Sequence, residues 1–458
     1  MAGELIGFPE ITADTVAHYE QPGPRYTSYP TAPEWTTAYG PSDYAAGLVQ
    51  AGTAPSEPLS VYIHIPFCRR MCTFCGCNVV IARDNARADR YLTHLGEEMR
   101  LAAGLLGQRR GVSQLHLGGG TPTFLDLEQL TRLWEMFREH FTPLPDAELA
   151  IEVNPVFTTV EQIALLRRFG FNRISMGVQD FDPAVQQAIH REQTFEQTSS
   201  LVAAARKLGF RGINLDLIYG LPLQRESSWE DTLRQVLAIR PDRLAVYSFA
   251  FLPNLRPHQR KLPAERPRGI AKLKLFRAAY NTLLAAGYRP IGMDHFALPD
   301  DELSLAQASG KLSRNFQGYT VKAASEVVAF GTTAISDLQG AYTQNTKSIA
   351  RYYESVDAGR FATERGLRLT PDDQRRRGLI TQLMCHFAVD LGPDGREYFR
   401  AELEDLRRLQ DAGLLELNGV GLKLTPLGRV FVRNVAMVFD AHLRMQQVDG
   451  ARKFSMTV

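Results

Sequence analysis

Four of the five cysteines fall within VYIHIPFCRRMCTFCGCNVV, Val61 to Val80. Cys68, Cys72 and Cys75 form a C-x3-C-x2-C run, a spacing that lets one loop turn three thiolates to one point. Iron and sulfide suit such a set: 4Fe-4S clusters are held by cysteine thiolates, and three protein ligands leave one iron open to bind something else. Zinc competes for clustered thiolates but takes four ligands, usually as two separated pairs. No second pair exists here. Cys77 follows too closely behind Cys75 to reach the same metal without strain, and Cys385 lies far away in an apolar run, where it is expected to pack as a small buried hydrophobe. Crowded cysteines, with no secretory signal at MAGELIGFPE, predict a reducing compartment rather than a disulfide framework.

Something must position that loop, and the chain around it has a regular rhythm. From Leu59, short β-branched or alternating runs are each followed by an amphipathic helical pattern. Six strands are predicted, in LSVYIHIPF, SQLHLGGGTPT, AELAIEVNP, RISMGVQDF, GINLDLIYGLP and RLAVYSFAFLP. This βα alternation implies a parallel sheet, open or curled into part of a barrel, with its active site outside the carboxyl ends of the strands. There the sequence places the cysteine loop, the run Gly118, Gly119, Gly120 and Thr121, then Glu152, Gln179, Asp216 and Ala250. Glycines permit close approach of backbone to a ligand, although a tight turn explains them equally well.

The flanks read differently. Residues 1–56 form an arm in which Pro22, Pro24, Pro30, Pro33 and Pro41 are expected to break any long helix. Within it GPRYTSYPT sets Arg25 beside Tyr26 and Tyr29. This reads either as an aromatic loop with its hydroxyls wet or as a guanidinium poised for a flat ring bearing carboxylates. Residues 57–368 are assigned to the sheet domain and its extension, with irregular loops between Gly287 and Ile335 that are too apolar for disorder. His295 among them is expected to be a structural histidine. Residues 369–458 predict a mostly helical unit with a short hairpin, similar to a winged helix and read as a lid or docking unit. The chain of 458 residues, 44% hydrophobic and 22% charged, is ordinary for a globular protein, and 52 Lys+Arg against 50 Asp+Glu argue against nucleic acid as a partner. No apolar run approaches the roughly 20 residues that span a bilayer, so a cytoplasmic location is expected.

The C-x3-C-x2-C run after a strand resembles the radical S-adenosylmethionine (SAM) superfamily, and HIPFCRRMCTFCGCN more narrowly resembles the oxygen-independent coproporphyrinogen III oxidase family (coproporphyrinogen dehydrogenase). The resemblance covers nearly the whole chain. It implies an α/β fold with a partial (βα)6 barrel, an N-terminal arm and a mostly helical C-terminal domain. It also implies a 4Fe-4S cluster on Cys68, Cys72 and Cys75, SAM chelated at the open iron, and a deoxyadenosyl radical formed from it. The activity so implied is oxidative decarboxylation of two propionates of coproporphyrinogen III to vinyl groups, giving protoporphyrinogen IX in heme biosynthesis.

By the same resemblance Tyr62, Phe74, Gly119, Gly120, Thr121 and Glu152 contact SAM. A second SAM beside the first is met by Gln179, Arg191, Asp216 and Ala250. Phe316, Gln317 and Ile335 line the space near the cofactors, and Glu152, Phe316, Gln317 and Ile335 are the catalytic candidates. Arg25 and Tyr26 belong to an arm that closes over the substrate. An electron donor such as flavodoxin or ferredoxin, and a monomer, are further expectations. Asn154 departs from the pattern, standing where an acid is expected. The rival readings are a heme-handling chaperone, which should lack CGC at Cys75 to Cys77 and the GPRYTSYPT arm, and a radical SAM methyltransferase that would donate a methyl from the second SAM.

Overall fold

The computed structural model describes residues 7–322, 326–446 and 454–457. All six predicted strands are present: β1 (Leu59–Ile65), β2 (Gly111–Gly119), β3 (Thr142–Val153), β4 (Arg173–Gln179), β5 (Gly212–Tyr219) and β6 (Arg243–Ser248). They pair in parallel and in chain order, as βα units do when each crossover returns beside the strand it left. Helices Ala86–Leu106, Leu127–His140, Phe195–Lys207 and Gly269–Ala285 match the predicted helical segments. Two of them begin with a reciprocal cap in which the third helical residue is glutamine, Asp126 with Gln129 and Thr194 with Gln197, and Thr159 with Gln162 does the same for the helix Val160–Arg168. Each cap is worth about 0.5–2 kcal/mol and fixes where its helix starts.

The sheet is larger than the sequence predicts. The short strands β7 (Arg289–Pro290) and β8 (His295–Ala297) extend it antiparallel beyond β6. On the other side β9 (Val327–Phe330) lies parallel to β1 and leads into an antiparallel meander of β10 (Ile335–Leu338), β11 (Ala341–Asn345) and β12 (Thr363–Arg368). The full order is β12-β11-β10-β9-β1-β2-β3-β4-β5-β6-β8-β7. Each strand sends alternate residues to opposite faces. On β1, Leu59, Val61, Ile63 and Ile65 are fully buried on one face, while Ser60, Tyr62 and His64 share the other. From that second, polar face Ser60 lines one of the cavities described below, with Tyr62 and His64 packed behind.

Two expectations for the arm are corrected. Pro41 does not break a helix but opens one, Pro41–Ala51, at its first position, where a missing N–H costs nothing. Nor are the hydroxyls of Tyr26 and Tyr29 wet: Tyr26 donates to Asp440 at 3.0 Å, and Tyr29 accepts from the backbone N–H of Ala441 at 3.1 Å. The arm is thereby pinned to the far end of the chain. The C-terminal segment combines helices, including Pro371–His386 and Arg400–Asp411, with a three-stranded sheet of Ala388–Asp390, Gly421–Leu424 and Leu415–Leu417. Cys385 is fully buried there among Ile291, Leu303, Leu312 and Tyr319. No helix among the described residues is long and apolar enough to cross a membrane.

Candidate active site

The cysteine loop leaves β1 at Ile65 and is tied down on several sides. Val80 N–H donates to Pro66 O at 2.7 Å, and Thr73 is held by Ala188 and Ile189. The sequence missed a further clamp, the 3-10 turn Pro257–Lys261. His258 donates to Cys75 O at 2.8 Å, and the amide of buried Gln259 donates to both Phe74 O and Ala250 O at 3.1 Å. Ala250 thus serves the loop through its carbonyl.

Beneath the loop the glycine run is demanded by close packing. A Cβ at Gly120 would stand 2.7 Å from the backbone of Pro66 and Phe67. One at Gly119, where φ is +111°, would meet the His64 ring at 2.5 Å, and one at Gly118 the Glu152 carboxylate at 2.9 Å. Loop and glycines together border a cavity lined by Cys68, Cys72, Phe74, Cys75, Cys77, Gly119, Gly120, Thr121, Glu152, Gln179, Arg191 and Asp216 among others. Among the described residues no three His, Cys, Asp or Glu side chains converge as a single ion requires. The three thiols nevertheless share one cavity with polar neighbours. Cys68 Sγ lies 3.5 Å from Thr121 Oγ1, and Arg191 reaches Cys72 Sγ at 3.8 Å. Arg191 also donates to Gly177 O at 2.6 Å, while its buried Nε has no partner. This donor set, all sulfur with cationic support, fits a thiolate-held cluster with an anionic ligand beside it.

Glu152 is the hinge of the electrostatics. It takes His116 Nε2 at 3.1 Å and Gly119 N–H at 3.3 Å, and although it lies deep, 45% of its side chain is open because it faces the cavity. Burial alone would raise its pKa, but the His116 hydrogen bond and charge outweigh that and hold it below the usual carboxylate range. Tyr62 stacks on His116 at 5.9 Å and points its hydroxyl to His64 Nδ1 at 3.2 Å. Burial lowers His64 to about 4, so it is neutral and donates through Nε2 to Asn78 O. Asp216, held by Asn214 at 2.8 Å and Ser175 at 3.1 Å, is pushed up to about 6 by burial and by Glu152.

A second cavity, termed the deep cavity, opens on the polar face of the sheet, and Glu152, Ser175 and Asp216 line both. Gln114, His116, Glu148, Arg173, Asn214, Arg243, Tyr247, His295, Gln317 and Tyr319 contribute to its wall. The sequence reading missed most of these. A signal was present: parallel strands covered on both faces read as continuous apolar runs, whereas these alternate with polar residues. His295 donates through Nδ1 to Asp294 at 2.7 Å, and burial, then Arg314 and Arg25, lowers it to about 3. Arg25 is ion-paired with Asp294 and sits over the Tyr247 ring.

Phe316 and Ile335 line neither of these cavities and pack instead with Trp35, Tyr342 and Leu369. Tyr62 and Ala250 are likewise set behind the walls, Tyr62 through His116 and Ala250 through Gln259.

A parallel half-barrel whose first strand feeds a three-cysteine loop, facing a glycine run and an acid at neighbouring strand ends, defines the radical SAM class. The model of the radical SAM superfamily matches residues 62–236, and that of the HemN C-terminal domain matches residues 369–431. The chain is 45% identical over 441 residues to the oxygen-independent coproporphyrinogen III oxidase of Pseudomonas aeruginosa, covering 94% of this chain and 96% of that one. It is 43% identical to the Escherichia coli protein of the same name, covering 94% and 95%. The solved structure of coproporphyrinogen III oxidase (HemN) from E. coli, described as a radical SAM enzyme, superposes with a TM-score of 0.87 over 91% of this chain and 97% of that one. The chain belongs to the oxygen-independent coproporphyrinogen III oxidase family, a membership that implies a 4Fe-4S cluster and SAM.

Proposed function

We propose that this protein oxidatively decarboxylates two propionates of coproporphyrinogen III to vinyl groups, without oxygen, using radical SAM chemistry. The observation that carries this is the shared wall: Glu152, Ser175 and Asp216 border both the thiol cavity and the deep cavity, so a radical source in one adjoins a substrate in the other. Cys68, Cys72 and Cys75 would hold the cluster, and Gly119, Gly120, Thr121 and Glu152 the SAM at its open iron. Bound together, cluster and SAM supply one-electron chemistry that removes a hydrogen from the substrate. The chain supplies the rest. Glu152, kept ionised by His116, accepts from an ammonium group without giving up a proton. Arg191, with its buried Nε free, would receive a carboxylate, and a second SAM would meet it together with Gln179 and Asp216. The arm, locked to the chain's end through Tyr26 and Asp440, and the C-terminal unit from residue 369 exclude water and hold the substrate in reactive geometry. Phe316 and Ile335 are assigned to support of that cover, and Gln317 to the substrate wall. A monomer in the cytoplasm, reduced by a flavodoxin or ferredoxin, completes the reading.

The test is anaerobic turnover of cluster-reconstituted protein with SAM, a reductant and coproporphyrinogen III, read by mass spectrometry. Loss of two carboxyl groups, dependent on Cys68, is the expected result. SAM cleavage with untouched porphyrinogen would mean another substrate, and heme binding without SAM cleavage would mean a chaperone.

A further inference from the structure

The arginines around the deep cavity are not equivalent. Arg173 pairs with Glu148 and Glu302, Arg243 with Asp301, and Arg25 with Asp294. Arg314, among the described residues, has no carboxylate within ion-pair distance, and its buried Nε and Nη1 have no hydrogen-bond partner. It stands on the hairpin Ser313–Asn315/Gly318–Thr320, opposite Tyr319, with its guanidinium 4.6 Å from the centre of that ring. Tyr319 lines the deep cavity. Arg314 itself lines a smaller cavity under the arm residues Tyr26 to Tyr29, and Asn315 lines both. The other arginine of that smaller cavity, Arg377, is paired with Asp337.

A half-buried guanidinium with two buried nitrogens left unpartnered and no anion beside it is costly, and part of that cost is recovered when a carboxylate oxygen accepts from it. We infer that Arg314 binds a carboxylate of the substrate at the junction of the two cavities, through the nitrogens left without a partner. Arg25, the arm's arginine, already spends its charge on Asp294 and positions the Asp294–His295 pair instead. The inference rests on the reading of the substrate as a polycarboxylated tetrapyrrole and adds which residue receives one of its acids.

Binding separates this inference from that reading. Full-length wild type and Arg314→Met, both reconstituted, are titrated with coproporphyrin III and with its tetramethyl ester, which keeps the ring and lacks the charges. The acid should bind Arg314→Met about 10- to 100-fold more weakly than wild type, the ester equally, in line with loss of one charge-assisted contact. Because a half-buried charge without an ionic partner is removed, the variant's melting temperature should hold or rise, whereas a structural arginine would lower it. Arg314→Gln should behave like Arg314→Met, and Arg314→Lys should recover part of the affinity. Unchanged affinity for the acid in both neutral variants, or a lowered melting temperature in both, overturns the inference. Turnover by wild type decides the other question. If wild type does not consume coproporphyrinogen III but the acid-over-ester preference still depends on Arg314, the carboxylate site stands and the reaction assigned above falls.

Discussion

The thiol cavity and the deep cavity share a wall, yet they are built in opposite ways. The first is centred on two short runs of the chain, three cysteines of one loop lowered onto consecutive glycines until backbone touches backbone, with a few polar side chains from later strands beside them. The second is made mainly from alternate residues of seven strands plus a distant hairpin, and its polar groups are partly held by one another through contacts such as Arg173 with Glu148 and His116 with Glu152. A site of the first kind has no spare parts, so single changes should abolish it. A site of the second kind spreads its work over many side chains, and single changes should produce graded shifts.

The largest effect tests the first half of that contrast. Cys72→Ser should leave the fold intact, because the side chain faces a cavity, while iron content drops and turnover falls to the detection limit. Retained iron with full activity would break the contrast at once. Gly120→Ala comes next. Its new Cβ meets backbone, which cannot swing away as a side chain can, so stability should fall by about 1–3 kcal/mol and iron retention with it. A chemical melt and an iron assay measure both.

In the deep cavity the expected effect is a slope rather than a loss. His295 titrates near 6.5 when unfolded and about 3 when folded, so between those values the unfolded chain binds more protons. Wild type should therefore lose stability as pH falls from 6.5 towards 3, by up to roughly 1.4 kcal/mol per pH unit from this group. His295→Gln removes that contribution. Denaturant melts of the two proteins from pH 7 to 4 should diverge in slope, and parallel curves would show that His295 is not held neutral.

The same contrast explains what could be read from the sequence. Cysteine spacing, the glycine run and the six βα repeats are local patterns, so loop, glycines and half-barrel were legible. Strands β9 to β12 were not, since each is only four to six residues long and their pairing joins segments that carry no βα rhythm. The deep cavity was hidden for a related reason: Gln114, Arg173 and Arg243 acquire a common purpose only when the sheet curves. Phe316 and Ile335 illustrate the converse, since family resemblance placed them near the cofactors while packing sets them against Trp35 and Tyr342. Gln259 carried no local signal at all, because its role is to hold two carbonyls separated widely in sequence.

Asn154 sharpens the comparison from the weak end. It lines the thiol cavity, where the argument above expects intolerance, and it replaces the acid expected in relatives. Its side-chain oxygen accepts from Val156 N–H at 3.1 Å, a contact that either a carboxylate or an amide can make. Asn154→Asp should therefore change stability by no more than about 0.5 kcal/mol and leave iron content unaltered. The added negative charge would face a cavity that already holds Glu152 and Asp216, so its one visible consequence should be a modest rise in the KM for SAM. A large loss of iron would instead mean that the cavity's charge balance, and not only its backbone packing, governs whether the cluster is retained.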